Sequence, residues 1–350
     1  MASPTIFTIP VKAITPIWTG DAERKTSYIK GSSLIGGLRF WTEALLRAQG
    51  EHVCDITNKS QDKRDTYDSE EPSKKICRVC ETFGCTGLGR SFSLMIHEGR
   101  DMHDHAIGNI KLPRYTYTAT YPKTNKEYKK TPAWFLRDSG LIGNLNLELV
   151  PLRPQGITAE LALALTTMLK WGTLGAKDQF GFGIVKVENF PEGFLDIARK
   201  AIPAHEKEAE SGLSLRDFFF FKAKCEKPYN ELPFEIRYLV RQSLRENGDR
   251  ALRHYFCGST QEKDKAATKY NIGLIPNGTL IGWGYYQKDG NFGDYRERCL
   301  DSLKKNLNEH NALKELQWVE YNSERDTEKR ITNWIEFLTK IFEGEWKNEL

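Results

Sequence analysis

Residues 4–14 alternate, with Phe7, Ile9, Val11 and Ala13 on one face and Thr8, Pro10 and Lys12 on the other. That is the period of a strand with one face in a core. After a polar turn, apolar spacing changes to that of a helix from about Ser33 to Ala48. A strand feeding directly into a helix must place that helix back over the strand's apolar face, which limits the fold to a few α+β arrangements. The later segments narrow the choice. Strands are expected at Arg90–His97 and Leu145–Leu152. A buried helix should run from Leu161 to Trp171, with Leu161, Leu165, Met168 and Leu169 at helical spacing, and a strand from Gly183 to Val187. Strand–helix–strands–helix–strand is the ferredoxin-like order, an antiparallel sheet with its helices on one side.

A second unit follows a charged stretch near residues 197–212, read as a linker or a solvated helix. It offers a strand at 214–223, a helix at 232–246, strands near 270–276 and 279–287 and a helix at 294–309. A last amphipathic helix carries Ile331, Trp334, Ile335, Leu338, Ile341 and Phe342. The expected architecture is α+β with two ferredoxin-like domains, residues 1–200 and 210–350. The first is interrupted by a polar, Cys-rich insertion at about 51–88 that has little core of its own.

With 350 residues, 39% of them hydrophobic, the chain can bury one large core or two ordinary ones. No apolar run reaches membrane-spanning length, and the N-terminus lacks the pattern of a secretory signal. Seven cysteines, odd in number and unevenly spaced, speak against a disulfide framework and for a reducing cytoplasm. The net charge of +4 is too mild to indicate nucleic-acid binding by itself, so the placement of charge decides.

Four segments could carry chemistry. Lys30-Gly31-Ser32-Ser33 opens the first helix, with Ser or Gly as N-cap and backbone amides uncovered by bulky side chains, an arrangement that suits a phosphate or simply a well-capped packing helix. Cys77-x2-Cys80-x4-Cys85 has metal-ligand spacing, and Cys54 or His52 could complete a tetrahedral, structural Zn²⁺ site. The alternative is a set of ordinary cysteines. Residues 111–137 interleave Lys111, Arg114, Lys123, Lys126, Lys129, Lys130 and Arg137 with Tyr115, Tyr117, Tyr121, Tyr128 and Trp134. Cations beside rings can grip a single strand, and a solvated hairpin would look the same. The glycine-rich run 172–183 follows a helix and opens a strand, the reverse of a nucleotide-binding loop, so its glycines fit close approach of an extended backbone, with Lys177 adding charge. Arg250 and Arg253 precede a Gly-Ser turn and form a weaker phosphate candidate. His97, His103 and His105, in a charged loop, lack a third fixed partner for catalysis.

Three strings together resemble the RAMP proteins of CRISPR–Cas systems: Gly31-Ser-Ser-Leu-Ile-Gly-Gly-Leu-Arg39, Phe83-Gly-Cys-Thr-Gly87, and Gly172-Thr-Leu-Gly-Ala-Lys-Asp-Gln-Phe-Gly-Phe-Gly183. Phe40-Trp41 after Leu38-Arg39 is most similar to the first-numbered subunit type of the Cmr (type III-B) complex. The likeness is dense over residues 1–190 and thinner beyond. It implies RRM-like folds and a cytoplasmic subunit that holds guide RNA near its 3′ end, contacts paired target RNA and docks on other RAMP subunits. RNA would be gripped through Ser32, Ser33, Arg39, Arg90 and Lys177, with Lys30 beside them and Gly181 and Gly183 near the guide. In cutting relatives an aspartate before this helix supports metal-dependent cleavage. Asp21 is the corresponding candidate, but its loop is short and the Phe-Trp branch implies binding without cutting. An RNA-cutting RAMP protein and a scaffold with little RNA contact are the alternatives.

Overall fold

The computed structural model describes residues 5–20, 25–55, 66–68, 76–121, 124–153, 156–246, 250–260, 265–287, 295–344 and 346–347. Strand β1 (Phe7–Ile17) buries Phe7, Ile9, Val11 and Ala13 and exposes Thr8 and Lys12, as the alternation requires. Helix α1 (Gly31–Ala48) follows, then the short α2 (Arg78–Phe83), β2 (Phe92–Glu98) and β3 (His103–Lys111). A small hairpin, β4 (Tyr117–Thr120) and β5 (Glu127–Lys130), leads into the long β6 (Ala133–Pro151), helix α3 (Ala159–Trp171) and β7 (Val185–Val187). The sheet order is β2–β6–β1–β7, with β3 pairing along the first half of β6. Without β3 this is the ferredoxin-like order.

The remainder repeats the plan. After α4 (Phe194–Arg199) come β8 (Phe218–Cys225), α5 (Leu232–Glu246), α6 (Arg250–Cys257), β9 (Tyr270–Leu274), β10 (Thr279–Tyr285), α7 (Arg296–Asn308), β11 (Leu313–Glu320) and α8 (Trp334–Glu343). The second sheet runs β11–β8–β10–β9, the same order as the first. The chain is α+β with two ferredoxin-like sheets.

The four consecutive phenylalanines of β8 show how the sheets are stacked. Phe219 and Phe221 face a core shared with Ile236 and Val240 of α5 and Leu300 and Leu303 of α7, and both stack on Trp318 at 5.2 and 5.7 Å. Phe218 and Phe220 face the opposite way and join the core of the first unit. There Trp41 of α1 lies 5.1 Å from both Phe218 and Trp283, and Trp171 of α3 lies 4.8 Å from Phe220. Helices α1 and α3 are therefore sandwiched between two sheets. Every residue of α3 from Leu161 to Leu169 is buried, as expected of a helix covered all round. Helix α8 folds back onto α3: Trp171 Nε1 donates to Ile341 O at 2.7 Å, Lys170 Nζ donates to Phe342 O at 2.6 Å, and Trp346 stacks on Trp171 at 4.6 Å.

Two expectations need correction. The stretch near 197–212 is a linker and not a solvated helix beyond α4, but it does not hang free. It is strapped to the C-terminus of α1, where Gln49 Nε2 donates to Ala201 O at 2.8 Å, Glu210 N to Arg47 O at 2.8 Å and Arg216 Nε to Ala48 O at 3.0 Å. The last two donors satisfy carbonyls that a helix end leaves open. The supposed loop holding His103 and His105 is mostly strand β3, because β6 is long enough to pair with it after β2 has ended.

Candidate nucleic-acid interface

Helix α1 starts two residues before the periodicity suggested, and Gly-Ser-Ser is not its cap. Lys30 occupies the N-cap, and no side chain caps the helix. Its neighbours are treated differently: Thr158 Oγ1 accepts from Leu161 N in α3, and Asn333 Oδ1 accepts from Glu336 N in α8. Ser32 is exposed and Ser33 half-buried in the first turn of α1. The chain entering the helix is held by local bonds: Lys30 N donates to Thr19 Oγ1 at 3.1 Å, Thr19 Oγ1 to Tyr28 O at 3.3 Å, and Ile29 N to Glu98 Oε1 at 2.5 Å. Tyr28 is 57% exposed, with the Lys30 ammonium 5.8 Å from its ring. Asp21 lies outside the described residues.

Across from this helix start stands the 172–183 loop. Trp18 bridges Ala176, and the Lys177 ammonium sits 3.9 Å from the centre of the Trp18 ring. Lys177 adopts left-handed backbone, φ +61°. The lysine thus stands beside the α1 entry, fixed by a cation–π contact. The glycines correct the sequence reading. A Cβ on Gly183 would fall 2.0 Å from Leu174 O, and one on Gly181 would fall 2.9 Å from Gly273 Cα of β9. Asn271 Nδ2 donates to Asp178 Oδ2 at 3.1 Å and Trp283 Nε1 to Thr173 Oγ1 at 3.3 Å. The close approach these glycines permit is that of the chain's own backbone, at Gly181 the second unit's, not of an external strand. Only Lys177 stays with the helix corner.

The 111–137 segment is a hairpin, as expected, in register Tyr117↔Lys130 to Thr120↔Glu127. Lys126 and Lys130 are exposed, Lys129 Nζ donates to Thr118 Oγ1 at 3.0 Å, and Tyr121 stacks on Tyr128 at 4.2 Å. Tyr115 does not share the face of Tyr117 and Tyr121. It lies in a 3-10 turn, its hydroxyl donates to Glu235 Oε1 at 2.5 Å, and its ring is 4.9 Å from Tyr238. Burial, then the Glu235 carboxylate, pushes the Tyr115 hydroxyl up to about 12. Arg114, expected to meet RNA, pairs with the same carboxylate at 3.4 Å while keeping most of its surface open. Lys123 and the side chain of Arg137 lie outside the described residues.

This anchoring brings the hairpin beside a set of arginines that sequence reasoning missed in part. Arg237, Arg241 and Arg245 recur every fourth residue of α5, a helical signal that was readable. Arg237 is buried, with its guanidinium 5.2 Å from the Tyr270 ring. Arg241 Nη1 donates to Gly258 O at 2.8 Å. Arg253 is held below the ordinary guanidinium range by burial first and then by the like charges of Arg241, Arg245 and Arg250. The charge of Arg245 also reaches Tyr238, as does Tyr117 of the hairpin. Lys126, Lys129, Lys130, Tyr117, Tyr238, Arg245, Arg250 and Arg253 therefore line neighbouring parts of one basic, aromatic ridge. Arg90, exposed, lies in the turn before β2.

Cys54, Cys77 and Cys80 are buried with their sulfurs all within 4.8 Å of one another, and Cys54 and Cys80 are 3.4 Å apart. Among the described residues this is the sole group of three potential metal ligands. Cys85 and His52 are outside it. Cys85 is fixed in a turn by reciprocal bonds with Leu88, both 3.0 Å, and His52 is exposed. The hydrogen bond with Cys77 and then burial drive the Cys80 thiol far up. Arg39 is turned inward, not outward: its Nη2 lies 3.8 Å from Cys80 Sγ, its Nη1 donates to Gly84 O at 3.3 Å and its Nε to Glu43 Oε1 at 3.0 Å. The histidines do not converge on a common site. His97 meets Glu148 at 3.3 Å and His103 Nδ1 meets Asp101 O at 2.8 Å.

The open face of the first sheet carries Thr8, Lys12, Met95, His97, Asn144 and Asn146. The fold and its polar features define a tandem ferredoxin-like protein whose cationic and amide groups gather at one helix start, one hairpin and one pair of helices. The chain belongs to the RAMP superfamily, whose profile matches residues 11–186. No curated protein matches it significantly. Among solved structures it is similar to Cmr1 from Pyrococcus furiosus in its apo form, with 12% identity, a TM-score of 0.42 and coverage of 81% of this chain and 89% of that one. It is also similar to a chain of the Type III-B Cmr-beta bound to cognate target RNA, with 12% identity, a TM-score of 0.44 and coverage of 87% and 100%. For a chain of Cmr-beta bound to cognate target RNA and AMPPnP in the presence of ssDNA the values are 10%, 0.46, 87% and 99%. Among the described residues no helix is long and apolar enough to cross a membrane.

Proposed function

We propose that this RAMP protein is a non-catalytic, RNA-binding subunit of a cytoplasmic type III-B (Cmr) effector complex, holding guide RNA near its 3′ end and contacting target RNA beside other RAMP subunits. The observation that carries the reading is the uncapped start of α1 inside the family-matched region, with Lys30 at the cap and Lys177 fixed on Trp18 nearby. A helix start without a side-chain cap and its positive dipole end can receive a phosphate without reading a base. The hairpin lysines and α5–α6 arginines extend the grip along a backbone, so binding should be tolerant of sequence and weaken with salt. Zn²⁺ held by thiolates of the insertion would act as a structural staple, since soft sulfur ligands and burial both suit that ion.

The test is labelled single-stranded RNA titrated with protein over a salt series, with and without Mg²⁺ or Mn²⁺. Salt-sensitive binding with intact RNA supports the reading. Absence of binding at micromolar protein in low salt removes RNA contact by the isolated chain, and metal-dependent cuts abolished in D21A replace the reading with a cutting enzyme.

A further inference from the structure

We propose that Cys54, Cys77 and Cys80 form a three-thiolate site for Zn²⁺ whose net negative charge is balanced by Arg39 from outside the ligand set. This rests on the zinc reading above and makes it specific. The three sulfurs converge from two stretches far apart in sequence, the exit of α1 and the start of α2, and all three side chains are buried. A divalent ion with three thiolates carries a net charge of −1, which is costly away from water unless a cation lies against it. Arg39 supplies that cation from outside the ligand set. Its N–H groups point at Cys80 Sγ and at Gly84 O, while Glu43 and the Phe83 ring, 5.9 Å from the guanidinium carbon, hold its plane. A hydrogen bond to a ligating sulfur draws charge from it and fixes its orientation, the usual work of a partner just outside a metal's ligands.

Two consequences depart from what the sequence suggests. Cys85, the third member of the spaced motif, is not a ligand, because its turn with Leu88 holds it away from the cluster. The fourth position of a tetrahedral zinc then falls to a non-sulfur ligand. Arg39, which the family motif puts forward as an RNA contact, is a positioning residue for the metal. Removing it should alter metal affinity before it alters RNA affinity.

The experiment measures zinc content and zinc affinity of the full chain by competition with a chromogenic chelator, together with the thiolate charge-transfer intensity of the Co²⁺-substituted protein. C54S, C77S and C80S should each lose the metal, and C85S should keep full zinc content and an unchanged three-thiolate Co²⁺ spectrum. R39M should weaken zinc binding about 10-fold or more, with R39K recovering part of the loss, and R39M saturated with zinc should bind RNA like the wild type. Loss of the metal in C85S, a four-thiolate spectrum, or unchanged zinc affinity in folded R39M overturns the assignment. Should R39M fail to fold, the C85S spectrum and the R39K affinity still decide it. A wild-type chain that takes up no zinc overturns the metal reading itself, whatever the variants do.

Discussion

At the scale of single residues, the fold places charge where water cannot reach it, and the cost shows in titration. Lys347 is buried and donates to Leu169 O at 3.0 Å and Gly172 O at 2.6 Å, carbonyls at the C-terminus of α3. Burial pushes its ammonium down to about 7. Its ordinary value is near 10.4, so between roughly pH 7 and 10 the unfolded chain holds this proton and the folded one does not. Stability contributed by this site is present above the unfolded value and lost as pH falls toward the folded one, with a slope of at most about 1.4 kcal/mol per pH unit. Denaturant midpoints measured from pH 7 to 10 should rise, and K347M should flatten that rise. At Gly183 the constraint is steric. Its φ of +79° and the 2.0 Å approach to Leu174 O leave no room for a Cβ, so G183A should cost more than about 2 kcal/mol in a thermal melt.

At the scale of elements, periodicity told most of the story where one face of a segment meets one core. The strand from Phe7, the helix to Ala48 and the α5 span 232–246 follow directly from their spacing. It failed where a segment serves two partners. β6 runs for 19 residues because it pairs first with β3 and then with β2 and β1, and nothing local in Ala133–Pro151 announces the change. The candidate site was legible to the same degree. Lysines of the hairpin and the small residues opening α1 could be named, but Arg39, Tyr115 and Gly181 looked outward in the sequence and turn inward in the molecule. Their partners, Cys80, Glu235 and Gly273, lie tens of residues or more away in the chain. On the ridge, the triple change K126E/K129E/K130E should lower RNA affinity, and the slope of log affinity against log salt should shrink by about 0.7 for each single-strand phosphate that is no longer neutralised. R245E, on a different element of the same ridge, should act in the same direction. An unchanged slope in both would mean that RNA does not touch the ridge.

At the scale of the whole molecule, the two ferredoxin-like orders invite a picture of two beads on a string, and the packing contradicts it. Trp41 is 2% exposed and touches Phe218 and Trp283 of the second sheet. W41A should cost about 3–5 kcal/mol, read from denaturant unfolding. The buried carboxylate of Glu320 is a second keystone on the far side. It accepts from Arg325 Nη2 at 2.7 Å, Arg296 Nη2 at 3.1 Å and Trp318 Nε1 at 2.9 Å. Because Arg325 keeps Glu297 and Asp301 and Arg296 keeps Asp217, E320A should cost about 1–3 kcal/mol.

The return of α8 onto α3 carries a consequence for how the chain comes to life on the ribosome. The first half emerges with the motifs of its family complete, yet the C-terminal end of α3 lacks part of its cover until α8 has been made, since Trp171 waits for Ile341 and Trp346. A nascent chain stopped before residue 334 would hold a finished recognition sequence on an unfinished body, vulnerable to proteases, and full protection would arrive only once α8 has emerged and docked.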